Sequence, residues 1–198
     1  MAASEHQQAG KRPARELLLE AAARLFYSGG VQATGIDTIT SAAGVAKKSL
    51  YNNFTSKAEL VAAYLAARHE EWLGLYRARL SAAGTPQERL LAVFDAYIDH
   101  ADLAYDQGFR GCGLLNAAAE LPAGDPGRRA VRQHKEEVER ILAGHASELL
   151  HGQQERAEEL ARHLAFLLEG AMARAGLEGS DRCLQDGRLI AARLLEAL

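Results

Sequence analysis

Apolar side chains recur along this chain at three- and four-residue spacing, broken at intervals by glycine and proline. No segment reads as the two-residue alternation of a strand, so the pattern predicts an all-α fold of about nine helices. From about Pro13 to Ser28, Leu18, Ala22, Leu25 and Phe26 share one side of a first helix. Its proline suits a helix start, and Gly29-Gly30 ends it. Between Thr34 and Leu60 the pattern tightens into two short helices and the start of a third. Ile36, Ile39, Ala42 and Ala43 form an apolar face on the first of these. Thr34 and Asp37 have capping-box spacing, and Gly44 provides a left-handed stop. The chain restarts within two or three residues, with Leu50 and Phe54 inward and Lys48, Ser49 and Asn52 on the opposite arc.

Ser56 and Glu59 form a second capping-box pattern, opening a long helix from about Lys57 to Ala82 with a stripe of Val61, Leu65, Trp72, Leu73, Tyr76 and Leu80. Pro86 opens a helix to about Tyr105, carrying Leu90, Leu91, Phe94, Tyr97, Ile98 and Ala101. Gly108, Gly111 and Gly113 precede a short helix, Leu114 to Leu121, and Pro122, Gly124, Pro126 and Gly127 mark a loop. Asp125 is placed to cap a helix running to about Leu150. Gly152 separates it from a helix at about 154–175, and Gly176 and Gly179 precede a last helix at about 181–197.

Composition narrows the class. With 198 residues, 48% of them hydrophobic, the chain can bury one substantial core or two small ones. It has no apolar run long enough to span a membrane and no signal-peptide pattern, and its two cysteines, Cys112 and Cys183, lack CxxC spacing. A reducing cytoplasm is the expected location. The net charge of −3 is unevenly placed. Residues 1–57 carry Lys11, Arg12, Arg15, Arg24, Lys47, Lys48 and Lys57 against Glu5, Glu16, Glu20 and Asp37, a net +3, which leaves −6 for the rest. A basic head on an acidic body orients a protein on DNA. Residues 1–12 lack periodicity and are expected to form a disordered tail.

Two helices around a glycine turn, the second with an apolar inner face, make a helix-turn-helix. Its outer face bears lysine, asparagine and hydroxyl groups, the chemistry that meets phosphates and base edges, although paired lysines on a short helix also serve as an ordinary solvated face. The segment AAGVAKKSLYNNFTSKAEL resembles the DNA-binding segment of the TetR family of bacterial one-component transcriptional regulators. The matching positions are Ile39, Ala43, Gly44, Val45, Leu50, Tyr51, Phe54, Ser56, Lys57 and Leu60, and the likeness extends upstream through LLLEAAARLFYSGGVQATGIDTI. It departs at Ala46, where the family usually has a capping Ser, at Asn53 and at Ala58.

The resemblance implies DNA contacts from Lys47, Lys48, Ser49, Tyr51 and Asn52, with Lys57 on phosphate and Thr34 as a further phosphate contact. Lys48 and Asn52 are the expected base readers, Tyr51 and Lys57 the backbone-positioning residues. It divides the chain into a helix-turn-helix domain at 13–57 and a ligand-binding and dimerisation domain at 58–198. Family members pair through their last two helices, here unusually rich in leucine: Leu160, Leu164, Leu167 and Leu168 on one, Leu184, Leu194 and Leu195 on the other. Burial of these faces within one subunit is the alternative. The family's middle helices enclose a small-molecule pocket, for which Trp72, Tyr76, Phe94, Tyr97, Phe109, Cys112, Leu115, Asn116, His134, Phe166 and Met172 are the candidates. Any single aromatic among them equally suits a plain core. Asn116 sits in the apolar GLLNAAAEL and must either bond backbone or face a ligand.

Seven histidines show no i,i+4 pair, and six of them, His69, His100, His134, His145, His151 and His163, read as scattered on exposed faces, so no metal or other cofactor is expected. There is no phosphate-cradling glycine loop, GxSxG or HExxH, and acidic residues such as Glu136 suit i,i+4 pairing with Arg140 better than acid–base work. The sequence therefore points away from an enzyme. It points to a homodimeric DNA-binding regulator, a repressor released from a palindromic operator by a small-molecule ligand. A constitutive or activating regulator and a helical protein-interaction module are the alternatives.

Overall fold

The computed structural model describes residues 12–102 and 108–198. The expected tail at 1–12 falls almost wholly outside these residues, as does the expected end of a helix at Tyr105. The described residues form α1 (Ala14–Gly29), α2 (Ile36–Ala43), α3 (Lys47–Asn53), α4 (Lys57–Leu80), α5 (Pro86–Ala101), α6 (Gly113–Glu120), α7 (Pro126–Leu149), α8 (Gln154–Glu178) and α9 (Arg182–Glu196), and no strand.

Local chemistry sets most of the helix ends. Ser56 Oγ accepts the Glu59 backbone N–H at 3.1 Å at the start of α4. The Glu59 carboxylate does not close the box on Ser56 but reaches one residue further, accepting from Thr55 N–H and Oγ1–H, both at 2.6 Å. Thr85 and Glu88 form a complete capping box on α5, around the Pro86 that opens the helix. Asp125 Oδ1 accepts the Gly127 N–H at 2.7 Å and caps α7 as expected. The expected Thr34–Asp37 box does not form. Thr34 is buried, and its hydroxyl donates to the Gly30 carbonyl at 2.6 Å, while α2 begins at Ile36 behind Gly35. The turn draws Thr34 inward, leaving Asp37 to pair with Lys47 at 2.8 Å. Ala42 is exposed, so α2 buries chiefly Ile39. Glu136 pairs with Arg132 at 3.2 Å.

The apolar residues gather into two cores. The smaller joins Leu18, Phe26, Ile39, Leu50 and Phe54 to Leu60, Val61, Tyr64 and Leu65 from the first turns of α4, and to Leu114, Ala117 and Val131 from α6 and α7. The larger packs the far half of α4, with Trp72 and Tyr76, against α5, α7, α8 and α9. α4 is thus shared by both cores, and the sequence boundary at Lys57 falls where it begins.

The leucines of α8 and α9 require a correction. Leu160, Leu164, Leu168, Leu184 and Leu195 are buried within the larger core of a single chain, and Leu167 packs half-buried against it. A stripe at helical spacing faces the chain's own interior first. The outward arc carries Phe166, Leu189, Ile190 and the 39% exposed Leu194, with Leu177 and Leu198 exposed beyond them.

Gly176, expected to end a helix, lies inside α8, which runs on to a left-handed Gly179. Its role is close approach. A Cβ there would stand 2.7 Å from Gly111 Cα and 2.8 Å from Gly111 N, so the loop before α6 rests directly on α8. Gly111 itself has φ +80, a conformation costly for any other residue. Gly176→Ala is expected to destabilise the protein by about 1–3 kcal/mol through overpacking. Gly144→Ala, in open space on α7, is expected to be neutral or stabilising by up to about 1 kcal/mol. Chemical denaturation of the two variants beside the parent checks both.

Candidate nucleic-acid interface

α3 presents the outward arc that the sequence pattern anticipated. Leu50 is fully buried, while Lys47, Lys48, Tyr51 and Asn52 are exposed, Tyr51 by 48%, and Ser49 is half-buried. Ala46 occupies the N-cap with no side-chain bond to the helix, the loss of about 1 kcal/mol that alanine implies there. Asn53 Nδ2 donates to the Ser49 carbonyl at 2.8 Å, closing the other end. Phe54 anchors the helix below, with the Arg15 guanidinium 5.1 Å from its ring centre. Lys48 makes no ion pair among the described residues, whereas the Asp37 carboxylate holds the Lys47 ammonium above its ordinary pKa. Lys57 Nζ donates weakly to the Gln32 carbonyl at 3.3 Å, at the edge of the same surface. The Thr34 hydroxyl faces the interior, so its side chain is not offered to a phosphate.

Behind this surface, α6 and the loop before it grip the reading head. The Glu120 carboxylate accepts the backbone N–H groups of Val31 at 3.0 Å and Gln32 at 2.7 Å. Gly30 has no room for a Cβ, which would lie 2.7 Å from Glu120 Oε1. Arg110 Nη1 donates to the Tyr27 carbonyl at 2.8 Å and to the Ser28 carbonyl, in the last turn of α1. Tyr27 Oη donates to the Gly111 carbonyl at 3.1 Å and accepts the Arg110 N–H at 2.6 Å. Sequence reasoning missed Glu120 and Arg110. The one available signal was a lone carboxylate ending an otherwise apolar helix.

The expected ligand-lining residues divide. Tyr76, Phe94 and Phe109 are core side chains, and Phe166 is 66% exposed on α8. Leu115 is exposed as well. Asn116 resolves toward backbone, its Nδ2 donating to the Arg110 carbonyl at 2.9 Å. Trp72, Tyr97, Cys112, His134 and Met172 do converge, together with Arg68 and His100, but on a cavity of only about 10 Å³. The larger space is an open cleft of about 690 Å³ running along α4 from Lys57 to His69, walled opposite by the end of α6 and the start of α7.

The histidines are not all surface groups. His100 and His134 are buried, and the ring nitrogens His69 Nδ1 and His134 Nδ1 lie 2.8 Å apart. His100 Nε2 stands 2.7 Å from Arg68 Nη2. Burial, reinforced by nearby Lys135 and the neighbouring histidines, pushes His134 down to about 3. Burial with Arg68 and Lys135 nearby does the same to His100. Lys135 pairs with Glu169 at 2.7 Å and donates to Tyr97 Oη at 3.2 Å. Both histidines were invisible in this role because their sequence neighbours are charged.

Taken together, a helix-turn-helix whose second helix shows lysine, tyrosine and asparagine to solvent, mounted on a larger helical body, defines a nucleic-acid-binding protein of the helix-turn-helix class. The pattern of the bacterial regulatory proteins of the tetR family matches residues 18–64, and that of the tetracyclin repressor-like C-terminal domain matches residues 86–190. The chain belongs to the TetR family. It is similar to the HTH-type transcriptional activator FasR of Mycolicibacterium smegmatis, 36% identical over 48% of this chain and 43% of that protein. It is also similar to the HTH-type transcriptional repressor KstR2 of the same organism, 35% identical over 41% of this chain and 40% of the other. The chain thus spans less than half the length of these curated relatives. Among solved structures, a TetR-family transcriptional regulator from Streptomyces coelicolor superposes with TM-score 0.81 at 29% identity, covering 92% of this chain and 94% of the other. The regulatory protein TetR from Rhodobacter sphaeroides does so with TM-score 0.77 at 26% identity, covering 91% and 97%.

Two outcomes are expected from this geometry. Glu120→Ala removes two charge-assisted bonds and should cost about 1–3 kcal/mol of stability while leaving base preference unaltered; an unchanged denaturation midpoint would refute the clamp. The neutral His100 and His134 bind protons readily only when unfolded, at an ordinary pKa of 6.5. Their folded values are depressed, so their contribution is complete above about pH 6.5 and is lost as pH falls toward 3. Between pH 6.5 and 5 the loss from each should steepen from about 0.7 toward about 1.4 kcal/mol per pH unit as protonation of the unfolded chain saturates. Urea titrations at stepped pH measure this, and a flat profile over that interval would contradict it.

Proposed function

We propose that the protein is a homodimeric, sequence-specific DNA-binding transcriptional regulator that acts as a repressor and leaves its operator when a small molecule binds. The observation that carries this reading is the exposed Lys47, Lys48, Tyr51 and Asn52 arc on α3, held rigid from below by fully buried Leu50 and Phe54. Each α3 enters a major groove of a pseudo-palindromic site, with half-sites about 34 Å or a multiple apart. Lys48 and Asn52 read base edges, the lysine suiting guanine acceptors and the amide suiting adenine. Tyr51 and Lys57 take phosphates. Lys47 contributes once DNA competes it away from Asp37. Likeness to an activator and a repressor alike leaves repression as the reading drawn from the ligand-release mechanism.

The second copy is supported by the apolar outward arc of α8 and α9, where Phe166, Leu189, Ile190 and Leu194 stand in solvent in a single chain. Pairing two such arcs forms a four-helix interface about a twofold axis. Ligand response is a population shift: a molecule favouring the conformation with misplaced heads withdraws the dimer from DNA. α4 and the Glu120 and Arg110 contacts are the parts that tie the body to the head.

Lys57→Ala should weaken binding to all duplexes alike and reduce the salt slope by about one. Asn52→Ala should instead relax preference at a single base position. Binding titrations across salt, with the parent site and a set of single-base variants, test both. A salt slope unmoved by the first change, or uniform weakening by the second, would reject the assigned roles.

A further inference from the structure

The interior that the sequence marked as a ligand pocket is filled, with about 10 Å³ left empty, whereas the cleft beside α4 offers about 690 Å³, within the range of small-molecule sites. The two spaces share a wall. His134 and Leu114 line both, so the His134 ring, held to His69, stands between the cleft and the space behind it. The cleft is largely apolar, lined by Val61, Leu65, Leu121, Pro122 and the exposed alanines Ala62 and Ala66. Behind His134 the chemistry changes. Trp72 is buried and its indole N–H has no acceptor among the described residues, and the Arg68 guanidinium lines the same void. A buried donor left unsatisfied costs free energy that an incoming acceptor would recover.

We infer that the cleft is the effector site and that it takes an elongated apolar molecule ending in a carboxylate, whose acid end passes His134 to meet the Trp72 N–H and Arg68. This rests on the reading of the protein as a ligand-released regulator. A buried carboxylate needs a cation and donors to offset its desolvation, and Arg68 with Trp72 supplies both. Arg68 already meets Glu71 at 2.8 Å on the partly exposed side, and the fork of a guanidinium serves more than one acceptor. Entry exchanges the His69–His134 bond for the bonds made by the acid. The occupied cleft then separates α4 from the end of α6, the segment whose Glu120 holds the Val31 and Gln32 N–H groups. Occupancy is thereby felt at the turn leading into α2.

Trp72 is the chain's single tryptophan and reports on the inner end of the site. Decanoate, 1-decanol and decyltrimethylammonium share one chain length and differ in head group. Titrated into the full-length protein, decanoate should shift Trp72 emission saturably and bind at least tenfold more tightly than the other two. Ala66→Phe and Ala62→Leu fill the cleft from exposed positions. Each should weaken decanoate at least tenfold with the ligand-free melting temperature held within a few degrees. Equal binding of the three probes overturns the carboxylate assignment. Undiminished decanoate binding by both variants overturns the cleft, as does silence of Trp72 toward every probe. If other compounds still release the operator from the filled variants, the regulator reading stands and the cleft assignment alone falls.

Discussion

One carboxylate reinforces the tie that α4 makes between the two halves of this molecule. Glu120, the last residue of α6, accepts two consecutive backbone N–H groups at the turn between α1 and α2, where no other secondary structure would satisfy them. Such charge-assisted bonds are about twice as strong as neutral ones. Gly30 leaves the space the carboxylate needs, and Arg110 completes the grip by bonding the last-turn carbonyls of α1. The reading head is therefore not a separate bead on a linker. Its small core borrows Leu114, Ala117 and Val131 from the body, and α4 passes through both cores.

The body's interior is built for polarity as much as for oil. Arg68, His69, His100, His134, Lys135 and Tyr97 lie within a few ångströms of one another between α4, α5 and α7, with Glu71, Glu137 and Glu169 toward the rim. Two of these histidines stay neutral because burial and neighbouring cations both oppose a further positive charge. An arrangement of this kind costs stability that an all-apolar core would not forfeit, and such costs are met where a protein uses them.

How much of this was legible beforehand follows from the range of the forces involved. Helices fixed by local spacing and caps were readable: Asp125 and Gly44 act as their neighbours imply, and Leu50 with Phe54 face inward as their four-residue separation requires. What failed depended on contacts distant in sequence. Gly176 reads as a stop until the loop at Gly111 is laid against it. Thr34 reads as a cap until Gly30 turns back to take its hydroxyl. The leucines of α8 and α9 could not reveal whether they face their own chain or another, because both surfaces want the same side chains. His134 and Glu120, the residues most informative about coupling, were each a charged or titratable group amid ordinary neighbours, and only the fold brings their partners near.

Arg110 and Gly111 are consecutive, yet one is bonded to the end of α1 and the other lies against the α8 backbone at Gly176. With no side chain between the two backbones, there is nothing compressible at that crossing. In a pair of chains meeting along α8, a small tilt of one protomer on the other would be transferred through two adjacent residues to the base of each head. Were two chains to pair in that way, the span between their heads would be gauged by a bare backbone touch rather than by a hinge.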